Sequence, residues 1–117
     1  HHAYVNGNGE RGETSAIDFM KKYADKMAYL HFKNVDFDVF RTVREQNLDS
    51  DTAFDRDVMC DLRDGIIDFN ALRDTIEAIG FEGIGVIEQD MPRATTEQAF
   101  AAARRNLDYL REIHLID

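Results

Sequence analysis

Two short segments of strand character, far apart in the chain, constrain its fold more than any other feature. In the first, Met27-Ala28-Tyr29-Leu30-His31-Phe32-Lys33, the residues alternate. Ala28, Leu30 and Phe32 make one face, and Tyr29, His31 and Lys33 make the other. Period two with aromatic content predicts a strand over 27–33. The second, Ile84-Gly85-Val86-Ile87-Glu88-Gln89, follows Gly83 and stops before Pro92, which predicts a strand over 84–89. Between them Phe69, Leu72, Ile76 and Ile79 recur at helical spacing. Asp68 stands ready as N-cap and Gly80 as a left-handed stop, so a helix is expected over 69–80. Strands joined by so long a crossover form a parallel, right-handed βαβ unit.

The remaining sequence supplies further helices. Ile17, Met20, Tyr23 and Ala24, opened by a Ser15–Asp18 capping pattern, predict a helix over 14–26. Phe37, Phe40 and Val43 predict another over 36–46, and a short one is expected over 52–60, with a turn at Asp64-Gly65. Thr95 and Gln98 form a second capping box, and Phe100, Ala103, Leu107 and Leu110 stripe a last helix over 95–112. Residues 1–13 read as a loop punctuated by Gly7, Gly9 and Gly12. The class is therefore α/β. Two parallel strands alone make a poor domain, because parallel sheets have several strands and are covered on both faces. The open edges would seek further strands or a second chain.

Composition narrows the partners. A 44% hydrophobic content excludes a disordered chain. The net charge of -9 argues against nucleic acid and anionic membrane surfaces, which would repel it. No apolar run is long enough to cross a bilayer. Cys60 is the sole cysteine, so no intrachain disulfide can form, and a reducing, cytoplasmic compartment is expected. The opening on His1-His2 without a methionine reads as a fragment or a processed product.

Several residues invite a chemical reading. Gly7-Asn8-Gly9-Glu10-Arg11-Gly12 matches a dinucleotide fingerprint in letters only. It lacks a full preceding strand, and Glu10 and Glu13 would repel a pyrophosphate. His31 and Glu88 lie near the C-terminal ends of the two strands, where parallel α/β folds collect ligands and catalytic groups. A nitrogen beside a carboxylate suits Mn, Co, Zn or Fe better than Ca. The same pair could equally make a buried hydrogen bond, and two ligands are too few for a tight site. Lys33 shares the face of His31 and either binds a substrate oxygen or snorkels to solvent. Cys60 has no activating neighbour in sequence. His114 is expected at the surface. The acidic stretch over 49–64 lacks calcium-loop spacing and reads as a solvated face.

Taken in order, Leu30-His31-Phe32-Lys33-Asn34-Val35, Asp64-Gly65-Ile66-Ile67-Asp68-Phe69, Ile79-Gly80-Phe81-Glu82-Gly83 and Val86-Ile87-Glu88-Gln89-Asp90 resemble the xylose-isomerase-like sugar isomerase/epimerase superfamily. The insert from Val35 to Asp64 and the Glu-Gln-Asp ending are most similar to its inosose dehydratase branch, enzymes of myo-inositol catabolism. The resemblance covers nearly the whole chain. It implies a TIM barrel of which residues 1–117 are a single incomplete C-terminal segment, since such barrels typically need about 250 residues.

The resemblance also implies a divalent metal, Mn or Co first, with Mg, Zn or Fe as alternatives. His31 and Glu88 match two of its four ligands, and the other two would belong to sequence absent here. His1 matches a histidine that contacts substrate, and Lys33 is placed to bind substrate as well. Asn34 departs from the aspartate common after that lysine. The implied activity is that of a metal-dependent lyase or isomerase on a sugar or cyclitol ketone, with Glu88 sharing proton abstraction next to the carbonyl. The 117-residue chain alone is expected to be inactive. The competing reading is a non-catalytic βαβ segment that works by self-association or by pairing with the missing barrel half.

Overall fold

The computed structural model describes residues 16–117. The elements in chain order are α1 (Ala16–Lys22), β1 (Tyr29–Phe32), β2 (Asn34–Val35), α2 (Phe37–Glu45), α3 (Ser50–Asp55), β3 (Met59–Cys60), α4 (Phe69–Ala78), β4 (Ile84–Ile87) and α5 (Thr96–Glu112). A 3-10 turn, Ala24–Lys26, follows α1. The Gly7–Gly12 motif, the Ser15 cap and His1 lie outside the described residues. The protein is α/β, and β1 and β4 pair in parallel. The described residues divide into two compact units, one of residues 16–31 with 68–86, the other of residues 32–67 with 87–117.

In the first unit α1 packs on α4. Met20, Phe69, Leu72 and Thr75 are the buried side chains of these helices. Asp68 caps α4 as its sequence predicts, accepting from the backbone of Asn70 and Ala71. Gly80 ends the helix at φ 64, the left-handed conformation that glycine adopts without cost. β1 keeps its period-two pattern, with Leu30 half-buried and Tyr29 and His31 exposed. Ala28, expected on the packed face, precedes the strand and is exposed.

The second unit is built on β2 and β3, which pair antiparallel with Asn34 opposite Cys60 and Val35 opposite Met59. Val35, Met59, Leu62, Ala102, Leu110 and Ile113 are buried there. The expected helix over 52–60 is corrected: α3 spans Ser50–Asp55, and the chain then enters a strand. Asp57 adopts φ 55, and the amides of Asp57 and Val58 close back on Phe54 and Ala53. This left-handed stop frees Val58 and Met59 to be buried, and a strand pairing with β2 satisfies their neighbours' backbone groups. Three acids of the 49–64 stretch have structural partners. Asp49 caps α3, Asp55 pairs with Arg93 at 3.0 Å, and Asp61 holds Arg105.

Asn34 organises this unit. Its side chain is 1% exposed, and all four of its hydrogen-bonding valences are used. Nδ2 donates to the carbonyls of Leu62 at 2.8 Å and Ile67 at 3.1 Å, while Oδ1 accepts from the amides of Val35 at 3.0 Å and Ile67 at 2.9 Å. The turn it grips must come close. A Cβ on Gly65 would lie 2.1 Å from Asn34 Cγ, so only glycine fits.

Candidate active site at the end of strand β4

Glu88 stands one residue beyond β4, not within the strand. Its backbone amide donates to the carbonyl of Phe32 at 2.9 Å, which fixes it beside the end of β1. The neighbouring Lys33 then reaches across. Lys33 Nζ lies 2.5 Å from Glu88 Oε1 and 3.6 Å from Asp90 Oδ2. In an extended segment, residues two apart point the same way, so Glu88 and Asp90 both face the lysine. The Lys33 side chain is 11% exposed. It does not snorkel to solvent; its ammonium sits between two carboxylates. The carboxylates keep contact with solvent, Glu88 at 34% and Asp90 at 45% exposure, so water still screens the pair in part. Asn34, locked by its four hydrogen bonds, holds the backbone just after Lys33 in place.

Chemically this cluster offers a carboxylate that can take a proton and a cation that can steady negative charge on an oxygen. The sequence reading found Lys33 and Glu88 but missed Asp90. The Glu-x-Asp alternation after β4 was its available signal. Asn34, which departs from the aspartate common after that lysine, has a structural task. An aspartate would turn oxygens toward the Leu62 and Ile67 carbonyls, where the amide donates.

The other expected residues are placed as follows. His31 is exposed on β1, its ring 5.5 Å from that of Tyr29. It belongs to the first unit and Glu88 to the second. Among the described residues no three His, Cys, Asp or Glu side chains gather to hold a metal, and a tight site needs at least three protein ligands. The described part of the chain therefore does not by itself build the implied metal centre. Cys60 is half-buried and free. Burial, together with the charges of Asp36, Asp64 and Asp61, pushes its thiol up to about 11, so it is not an activated nucleophile. His114 is exposed in a left-handed turn after α5.

No family model matches the chain. No solved structure matches it either. Two curated proteins are similar to it. One is an inosose dehydratase of Geobacillus kaustophilus, 28% identical over 115 residues, which are 97% of this chain and 37% of the relative. The other is an inosose dehydratase of Geobacillus thermodenitrificans, 29% identical over 96 residues, 82% of this chain and 32% of the relative. The chain spans about a third of the length of the curated relatives it matches. Over most of its own length it is distantly related to inosose dehydratases.

Proposed function

We propose that the chain forms the C-terminal part of a TIM-barrel enzyme that removes water from a sugar or cyclitol ketone, as an inosose dehydratase would. The observation that carries this reading is the Lys33–Glu88 pair, with its 2.5 Å contact at the end of β4. Elimination from a β-hydroxy ketone needs a base for the proton next to the carbonyl and a cation near the carbonyl oxygen. Glu88 takes that proton. The Lys33 ammonium donates a hydrogen bond to the oxygen as negative charge builds there. The neutral Glu88 carboxyl then returns a proton to the leaving hydroxyl, and the net loss is one water. Asp90 keeps the ammonium aligned. In an isomerase or epimerase the proton would instead return to carbon.

The sequence resemblance further assigns His31 and Glu88 to a divalent metal, Mn or Co, with two ligands from outside this chain. Such an ion would polarise the substrate carbonyl. A small-molecule polyol ketone is the proposed substrate.

The test is an inosose in D2O with Mn or Co, followed by NMR for deuterium entering next to the carbonyl and for loss of water. A protein carrying the whole barrel is expected to do both, and the 117-residue chain alone neither. Glu88→Gln in the barrel is expected to slow exchange by a factor of about 100 or more. Exchange at the wild-type rate in that variant would reject the assignment.

A second reading rests on a different observation. On β1 and β4 of the first unit, Tyr29 is 62% and Ile84 70% exposed, beside an exposed Val86. Apolar strand surface of this kind associates readily. Light scattering of the isolated chain should show concentration-dependent assemblies that Ile84→Lys weakens, whereas a clean monomer at all concentrations would reject association.

A further inference from the structure

The second unit carries an open cleft of about 480 Å³ outside the Lys33 cluster, in the size range of small-molecule sites. Its apolar lining includes Met59 and Met91, and its polar lining includes Gln89, Gln98, Arg105 and Asp57. Gln89 lies between Glu88 and Asp90 in sequence, and backbone alternation turns it away from them.

The polar groups are held from behind. Gln89 Oε1 accepts from Asn106 Nδ2 at 2.8 Å, and Asn106, 1% exposed, is itself fixed by accepting from the Leu62 amide at 2.7 Å. Gln98 Oε1 accepts from the Thr95 amide at 2.8 Å as part of the α5 capping box. Both carboxamides therefore have their acceptor end occupied, while their NH2 ends make no hydrogen bond among the described residues. Arg105 is braced by Asp61 through Nε at 2.5 Å and Nη2 at 3.2 Å. A capping role alone explains Gln98. It does not explain why a buried asparagine is used to orient the half-buried Gln89.

The charge balance decides the ligand class. Two guanidiniums, Arg93 and Arg105, stand against three carboxylates: Asp57 in the lining and their partners Asp55 and Asp61. Both guanidiniums are already neutralised by a carboxylate, so the cleft offers a free anion no unpaired cation. Fixed N–H donors, one carboxylate acceptor and an apolar floor suit a neutral polyol: its oxygens accept from the amides, one hydroxyl donates to Asp57, and its C–H face lies on the methionines.

We propose that this cleft binds a neutral polyhydroxylated small molecule, with Gln89 as its oriented donor. The site is independent of the elimination chemistry, and the probe is chosen accordingly. The 117-residue chain is titrated with myo-inositol, which has no carbonyl to react, and then with inorganic phosphate, while the side-chain NH2 resonances of Gln89 and Gln98 are followed by 15N NMR. Saturable shifts with myo-inositol, Kd about 1 mM, and none with phosphate are expected. Gln89→Leu should weaken binding by about tenfold. Glu88→Gln should leave it unchanged, so the fate of the dehydratase reading does not decide this one. Three results would overturn the proposal: no shift at either glutamine with myo-inositol, shifts confined to Lys33, Glu88 and Asp90, or equal shifts with phosphate.

Discussion

Asn34 illustrates what one buried side chain controls. Asn34→Asp would place carboxylate oxygens against two carbonyls and bury a charge without a cation beside it. A loss of about 3 kcal/mol is expected in urea unfolding, from the unmade hydrogen bonds and the desolvated charge. Gly65→Ala should cost about 2 kcal/mol or more by the same measurement, because its Cβ collides with Asn34. Cys60 makes a kinetic prediction. With its thiol at about 11, only about a thousandth is thiolate at pH 8, so alkylation should run orders of magnitude slower than in unfolded chain. The sign for stability follows: the folded state keeps the proton longer, so this contribution is complete below pH 9 and fades as pH rises toward 11.

At the scale of elements, local signals sufficed where caps were explicit. Asp68, Gly80 and the Thr95–Gln98 box mark α4 and α5 in sequence, and the structure uses each of them. Thr95→Ala should lower stability by about 1 kcal/mol in thermal unfolding, since it removes half of a reciprocal cap. The helix expected over 52–60 failed for a physical reason. Val58 and Met59 fit a helical stripe as well as a short buried strand, and only pairing with β2 and the left-handed Asp57 choose between them. The tie between the 62–64 turn and α5 is electrostatic in part. Arg63 bonds Glu112 and lies 4.6 Å over the Tyr109 ring, and the guanidinium holds the Glu112 carboxyl below its ordinary range. Glu112 favours the folded state above pH 4.5, and that contribution fades as acid protonates it. In an NMR pH titration, Arg63→Ala should return Glu112 toward the ordinary value.

For the whole molecule, the alternation at 27–33, the long crossover and the cap residues determined an α/β chain with parallel strands, because periodicity and turn chemistry are local properties. His31, Lys33 and Glu88 were legible as candidates because strand ends are where such folds place reactive groups. The rest depended on contacts across long stretches of chain. Nothing local says that Lys33 turns inward to meet Glu88 and Asp90, since a lysine on a strand face is equally suited to solvent. Nothing local says that Asn106 reaches both Leu62 and Gln89. The sequence by itself determined the elements and the kinds of group available. The tertiary structure decided their partners, because burial makes every polar group find one, and only the folded chain sets which lies within reach.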